Sequence, residues 1–409
     1  MARCATMPPR KTVVTKKARV RIDLQARLRA CGFKICAVTF DRAGERLAFA
    51  CLPAWMVGPP KKTKGPPAPQ VVRVWIARVR DGAILHELVM PTRIGEAPSF
   101  VPESLVDDED IALDFSPDGA WLAVSWNLES LSSPYDEEVS AVAVVDLERG
   151  AVVASEGFLA KRERASSSIA FSQDSRVLVY APERSVVDET GVSWLDRTDG
   201  WKNARSTPKI TGDEVAFSAD GKRLITITTD SVRAVTFVRA GSRVIVGRSK
   251  EVAYLSWPGP WVVTPDGTSA IGLCSVGLKG KTERDIQEGV WRWRKDAAPE
   301  LVALVPMAPH GTSGAGKNDP PRMRLLWIEP EGRELLWVDE DDRLWRQRVG
   351  QRRLTPIRSS PSLGGLPCRA ITRDGKRIAR IAEEQVVITR LRRRPQSLDV
   401  HEGARRPRG

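Results

Sequence analysis

The feature that most constrains this chain is a turn that keeps returning. Residues 111–126 read IALDFSPDGAWLAVSW, two apolar runs parted by Ser116-Pro117-Asp118-Gly119. Pro117 presets φ, Asp118 can bond the local backbone, and Gly119 supplies the left-handed residue that closes a bulged hairpin. A second pair of runs follows at 141–155, AVAVVDLERGAVVAS, parted at Glu148-Arg149-Gly150. Together these make a four-stranded antiparallel unit of about 45 residues.

The first hairpin occurs seven times. It reads AVTFDRAGERLAFA (37–50), the stretch above, SIAFSQDSRVLVYA (168–181), EVAFSADGKRLITIT (214–228), WVVTPDGTSAIGLC (261–274), LLWIEPEGRELLWV (325–338) and RAITRDGKRIARIA (369–382). The turns fall at Gly44, Gly119, Ser175 in place of glycine, Gly221, Gly267, Gly332 and Gly375, spaced by 75, 56, 46, 46, 65 and 43 residues. The shorter intervals fit a bare four-strand unit, and the longer ones carry insertions. A second hairpin follows each first one, as in VRVWIARVRDGAILHEL (72–88) and VRAVTFVRAGSRVIV (232–246). Large residues mark the third strand at Trp75, Trp194, Phe237, Trp293 and Trp345. Their period is the unit itself, so these rings are expected to pack between neighbouring sheets.

The order of an FSPDG-like first turn and a "VRVW, turn, small strand" second hairpin resembles the WD40-type β-propeller repeat. The resemblance covers roughly residues 31–400. It implies an all-β fold: a seven-bladed β-propeller of four-stranded antiparallel blades. Blade cores are expected near 37–88, 111–155, 168–205, 214–246, 252–304, 323–357 and 368–400, within a propeller spanning 18–400. No repeat has the family's Gly-His pair before the first strand or its Trp-Asp ending of the third. The buried hydrogen-bond set of that family is therefore absent. Blade 5, with WPGPW at 257–261, matches least well. Ring closure needs a partner for the last edge. RVRIDL at 19–24 alternates Val20, Ile22 and Leu24 and is expected to pair with blade 7, an amphipathic helix through Leu28 being the alternative.

Composition limits the function. Hydrophobic residues make up 42% of the 409, and no apolar run reaches the ~18 residues of a spanning helix. The N-terminus lacks the apolar segment of a secretory signal, so a cytoplasmic protein with no membrane attachment is expected. Cys4, Cys31, Cys36, Cys51, Cys274 and Cys368 form no CxxC pair. Buried or half-buried reduced thiols are the expectation. The net charge of +13 sits at the ends: nine Lys/Arg against one Asp in residues 1–30, and seven Arg against two acids in 390–409. The basic tails, 1–17 and 401–409, can hold nucleic acid by counterion release, or can simply be solvated ends.

In such a unit the first-to-second and third-to-fourth turns share one face, and they are short here. The long segments, 52–70, 89–110, 127–140, 182–190, 275–289 and 305–322, all belong to the other face. Insertions gathered on one face of a repeat protein mark a binding face. Candidate partner-binding residues on it are Trp55, Lys61, Lys62, Lys64, Arg93, Tyr135, Asp136, Glu137 and Glu138. Trp55 and Met56 can either anchor a partner or fold back on blade 1. The acidic runs at 103–110 and 135–138 lack the ligand spacing of a calcium loop, and no metal or cofactor is expected.

Gly311–Asn318, GTSGAGKN, nearly matches a phosphate-binding loop. Asn318 stands where Ser or Thr would hold Mg²⁺, and Asp319-Pro320-Pro321 blocks the helix that receives the phosphate. His86, His310 and His401 are scattered. The expected function is a non-catalytic scaffold binding a protein or peptide, as a monomer or within a hetero-complex. The alternatives are a nucleic-acid-associated propeller using its basic ends and a degenerate propeller hydrolase or lyase.

Overall fold

A computed structural model describes residues 19–23, 33–53, 72–90, 111–129, 137–161, 168–180, 192–202, 205–207, 214–218, 223–227, 235–239, 244–248, 254–256, 260–277, 286–294, 296–306, 323–339, 343–357, 369–382 and 385–391. Strand β1 (Arg19–Asp23) is followed by sheet 1: β2 (Phe33–Phe40), β3 (Arg46–Pro53), β4 (Arg73–Arg78) and β5 (Ile84–Val89). Sheet 2 holds β6 (Ile111–Phe115), β7 (Trp121–Glu129), β8 (Glu137–Asp146) and β9 (Ala151–Lys161). Sheet 3 holds β10 (Ile169–Phe171), β11 (Val177–Tyr180), β12 (Val192–Asp196) and β13 (Arg205–Thr207); sheet 4 holds β14 (Glu214–Phe217), β15 (Arg223–Ile227), β16 (Val235–Arg239) and β17 (Val244–Arg248). Sheet 5 contains β18 (Tyr254–Ser256), β19 (Trp261–Val263), β20 (Ser269–Gly277), β21 (Gln287–Arg294) and β22 (Glu300–Leu304). Sheet 6 holds β23 (Arg324–Ile328), β24 (Glu334–Val338), β25 (Leu344–Arg348) and β26 (Leu354–Pro356). Sheet 7 holds β27 (Arg369–Ile371), β28 (Arg377–Ala382) and β29 (Gln385–Arg390), with β1 beside β29. One 3₁₀ turn, Arg197–Asp199, is the only helical element among the described residues.

The fold is an all-β propeller with four-stranded antiparallel blades. Six sheets have four strands; the expectation of a seventh like them is corrected at sheet 5, which has five. There β18 and β19 both pair with β20, Ser256 opposite Ser275 and Trp261 opposite Gly272. Four sequence positions thus separate Ser256 from Trp261, whereas only two, Leu273 and Cys274, separate their partners on β20. Proline has no N–H to give a ladder, so WPGP interrupts the first strand and its two pieces meet β20 out of step. Pro260 still accepts a hydrogen bond, at 3.2 Å, from the Leu273 N–H.

Strand β1 pairs antiparallel with β29 from Arg19↔Thr389 to Asp23↔Gln385. The N-terminus therefore supplies the fourth strand of sheet 7; the expected fourth strand at 392–400 lies outside the described residues. First strands touch in the order β2, β6, β10, β14, β19, β23, β27 and back to β2. The core follows this ring. Leu47, Phe49, Trp75 and Ala77 join Ala379, Ile381 and Ile22 between sheets 1 and 7, while Ala48, Ala50, Val74 and Ile76 join Leu122, Val124 and Ala143 between sheets 1 and 2. Both faces of each sheet are covered, which explains continuous apolar runs where a half-exposed strand would alternate. Trp75 and Trp293 are fully buried and Trp194 and Trp345 half-buried, each against the neighbouring sheet's cluster. The Phe237 side chain is outside the described residues.

Two expected connections are shorter than anticipated. Strands β7 and β8 run into 127–140, with Asn127↔Ser140, Leu128↔Val139 and Glu129↔Glu138 in register. Likewise β20 reaches Gly277 and β21 begins at Gln287, shortening 275–289. In sheet 2 the ladder continues past Ile111 of the first strand, and in sheet 5 it ends level with Tyr254 of β18; in both, two adjacent strands satisfy each other's backbone.

Candidate functional site

Of the residues expected to bind a partner, Trp55, Lys61, Lys62, Lys64, Arg93, Tyr135 and Asp136 lie outside the described residues. Glu137 and Glu138 open β8, opposite Lys161 and Ala160 of β9. Among the described residues β6 begins at Ile111, opposite Trp126, whereas β7, β8 and β9 continue beyond that level. Sheet 2 therefore extends three strands beyond the level of its first strand, on the side of the long connections, and carries Glu137 and Glu138 there. The near phosphate loop at 311–318, the acidic run at 103–110, and His310 and His401 also lie outside the described residues.

The opposite, short-turn face shows how sequence becomes structure. In the turn at 116–121, the Ser116 hydroxyl bonds the Asp118 carboxylate at 2.6 Å, and the Trp121 N–H donates to Ser116 Oγ at 2.9 Å. Ser172 with Asp174, Thr264 with Asp266, and Thr372 with Asp374 repeat it. Asp41 does the same alone, accepting from the Arg46 N–H at 3.0 Å. Each turn then crosses to its neighbour. Gly44, Gly119, Gly267, Gly332 and Gly375 have φ of 67°, 71°, 63°, 69° and 65°, and Ser175 has 59°; Gly221 is outside the described residues. Arg223 Nη1 donates to the Gly267 carbonyl at 3.0 Å, and Arg377 Nη1 donates to the Gly44 carbonyl. Arg46 lies over the Phe115 ring at 5.5 Å, with its guanidinium against Gly119. Sequence reasoning missed these arginines. Their signal was Gly-x-Arg in three turns: Gly44-Glu45-Arg46, Gly221-Lys222-Arg223 and Gly375-Lys376-Arg377.

Between sheets 5 and 6 the same face opens into a cleft of about 790 Å³, lined by Arg292, Glu300, Val302, Arg333, Arg348 and Gln351 among others. Its lining carries three arginines and three glutamates, and most of them pair on or beside its walls. Arg292 and Arg294 meet Glu300 at 3.5 and 3.2 Å, Arg333 meets Glu329 at 3.3 Å, and Arg346 meets Glu334 at 3.6 Å. Exposed pairs of this kind contribute little stability, but they leave the cleft polar and near neutral.

Asp114, on the first strand of sheet 2, accepts a hydrogen bond at 2.9 Å from the Phe171 N–H of sheet 3. Burial pushes its carboxyl up to about 6, more than that hydrogen bond lowers it. Its counterparts on the other first strands are Thr39, Ala170, Ala216, Val262, Trp327 and Ala370, so it stands without an acidic or basic neighbour at this level. Cys36, Cys51 and Cys274 are buried thiols, and burial raises Cys274 well above the usual thiol range. Such thiols are poor nucleophiles. His86 packs its ring against Gly150 of the next sheet. Among the described residues no cluster of three His, Cys, Asp or Glu is placed to hold a metal, and no helix is long and apolar enough to cross a membrane.

The strand arrangement is that of a β-propeller, and solved structures resemble it at low identity. A Kuenenia stuttgartiensis hydrazine synthase structure matches with TM-score 0.54 and 17% identity over 88% of this chain and 96% of that one. The Myceliophteria thermophila Cps50 (Swd1) β-propeller domain gives 0.46 and 13% over 88% and 96%, and a chain of a mitotic checkpoint complex gives 0.47 and 13% over 96% and 100%. At such identity the first likeness concerns fold alone. No protein-family model matches the chain, and no curated protein matches it.

Proposed function

We propose that this chain is a non-catalytic interaction platform of the cytoplasm. It is read as a seven-bladed propeller, counting sheet 5 as a blade with an interrupted first strand, and it binds a protein or peptide through the face of long connections. The observation that carries this reading is the asymmetry of the two faces. One is built from tight turns locked to each other. Strand order directs the long connections to the other, where the raised strands of sheet 2 also stand, and rigid scaffolds present their binding groups on such loops. Buried thiols without disulfides among the described cysteines support a reducing compartment. A second reading, nucleic-acid association, is favoured by the placement of the whole +13 charge in the two ends.

Both readings meet one experiment. A partner captured on the full chain is re-tested, with kinetics, on a chain lacking 57–68 and on one lacking 1–17 and 401–409. Loop-length costs change slowly with length, so the first deletion leaves the melting temperature unchanged. Loss of Lys61, Lys62 and Lys64 should slow association with an acidic partner, and less so at high salt. Binding that survives the loop deletion but vanishes when a short turn is cut would overturn the choice of face. Salt-sensitive retention on nucleic acid, lost with the two ends, would favour the second reading.

A further inference from the structure

Each first turn places one residue directly after its opening Ser, Thr, Asp or Glu. In the described turns these residues are Arg42, Pro117, Gln173, Pro265, Pro330 and Arg373. The first strands surround the axis, so these positions ring the axial mouth on the short-turn face. Charge falls at one junction only, between sheets 7 and 1. There the two turns nest. The Gly44 carbonyl accepts from Arg377, and Thr372 Cγ2 lies 3.0 Å from where a Gly44 Cβ would stand. Arg42 and Arg373 therefore leave equivalent points on adjoining turns, and both are exposed. Partial burial and the Arg373 charge hold the Arg42 guanidinium below its ordinary range.

Two carboxylates of these turns, Asp41 and Asp374, are engaged elsewhere. Asp41 accepts from the Glu45 N–H at 2.7 Å, the Arg46 N–H at 3.0 Å and Arg46 Nε at 2.9 Å. Asp374 accepts from Thr372 Oγ1 at 2.7 Å and the Lys376 N–H at 3.0 Å, and pairs with Lys376 Nζ at 2.9 Å. Among the described residues neither Arg42 nor Arg373 has a carboxylate within 4.0 Å. Among the described residues these two like charges, close enough to act on each other, thus have no carboxylate at ion-pair distance. An anion placed between them removes that repulsion and gains charge-assisted hydrogen bonds from both guanidinium forks.

We propose that Arg42 and Arg373 form a binding site for a phosphate-type oxyanion at the axial mouth of the short-turn face. Two guanidiniums suit a dianion with three acceptor oxygens; a single carboxylate would neutralise only one of them. The site lies opposite the long connections and does not depend on the function proposed for them. Its ligand is either free phosphate or a phosphorylated side chain of a protein, and the experiment separates the two.

Inorganic phosphate is titrated into the full chain by calorimetry, with chloride adjusted to hold ionic strength constant. A neutral peptide carrying one phosphoserine is titrated next, then its unphosphorylated twin. The expected result is saturable phosphate binding that weakens about tenfold or more in Arg42→Gln and in Arg373→Gln. Tighter binding of the phosphopeptide than of free phosphate assigns the protein source; equal or weaker binding assigns the free anion. Neither variant should melt below the parent at low salt, since each removes a like-charge contact, so loss of binding is not loss of fold. Absence of saturable heat with both phosphate and phosphopeptide, or unchanged affinity in both variants, overturns the proposal. So does a marked fall in the low-salt melting temperature of Arg42→Gln.

Discussion

The junction between sheets 4 and 5 and that between sheets 5 and 6 do the same task with different chemistry. Both must cover a left-handed turn glycine. At the first, Arg223 reaches over Gly267 and donates to its carbonyl; at the second, the end of Ile271 lies over Gly332. Arginine serves again between sheets 7 and 1 and between 1 and 2, and an apolar ring, Trp327, between 6 and 7. Sheets 2 and 3 combine several contacts: the Asp118 N–H donates to Ser175 Oγ at 3.0 Å, Asp114 holds the Phe171 N–H, and Arg197 of sheet 3 donates to the Asp118 carboxylate at 3.2 Å and lies over the Trp121 ring at 5.2 Å. The comparison teaches that this ring is cemented locally, junction by junction. Among the described residues no single polar set repeats at every junction, so the junctions differ in what will break them.

The apolar junction is the one a substitution breaks hardest. A Cβ on Gly332 would stand 2.1 Å from Ile271 Cδ1, and Ile271 is fully buried. Gly332→Val therefore combines a left-handed β-branched residue, at about 1–2 kcal/mol, with overpacking of about 1–3 kcal/mol. Gly350 has φ 79° with nothing within 4 Å of its Cβ position, so Gly350→Val carries the backbone cost alone. Urea midpoints of the two variants separate the contributions. Equal losses would mean that packing over the turn does not close the junction of sheets 5 and 6.

The hydrogen-bonded junction is sharpened by pH. Asp114 has its folded pKa raised to about 6 from an ordinary 3.8. The folded chain thus holds the proton more tightly than the unfolded one, and stability falls as pH rises from about 4 to about 6. Above that window the full cost of the buried charge is present. Asn keeps an oxygen for the Phe171 N–H and has no charge. Asp114→Asn should therefore match the parent near pH 4 and exceed it above pH 6.5, by up to about 3 kcal/mol. An Asn variant less stable at pH 8 would show that the ionised carboxylate strengthens this junction.

What the sequence made legible is what local chemistry decides. The hairpin at 111–126 pairs Ile111 with Trp126 and turns at Gly119, as Ser-Pro-Asp-Gly demands, and the alternation of Val20 and Ile22 marked a strand that indeed meets β29. Sheet 5 was legible only as a weak match, because WPGP signals a disruption but not that both remnants stay on β20. The burial of Trp126, Trp201 and Trp337 escaped notice, since none lies on a third strand. Trp201, at φ 65°, folds into the junction of sheets 2 and 3 and meets Trp121 edge-on at 5.6 Å. The arginines of the turns were visible as residues, yet what they grip belongs to the next repeat, up to 333 positions away in the case of Arg377 and Gly44. The candidate binding residues of the long connections were chosen by composition alone.

The arginine junction should be the most forgiving. Arg223→Met keeps the apolar stem that lies against the Gly267 turn and removes only the donor to the Gly267 carbonyl. Arg223 is half-buried, so water can replace part of what is lost. The expected cost is about 1 kcal/mol, near the lower end for a hydrogen bond from a charged donor. Because the acceptor is a neutral carbonyl rather than a carboxylate, added salt should leave this difference unchanged, whereas a surface ion pair would be screened. Denaturation of parent and variant at low and high salt checks both points. A loss as large as that of Gly332→Val would make arginine as indispensable as packing, and the two kinds of junction would then be one. A difference that fades with salt would mean that Arg223 acts through a carboxylate instead of the Gly267 carbonyl.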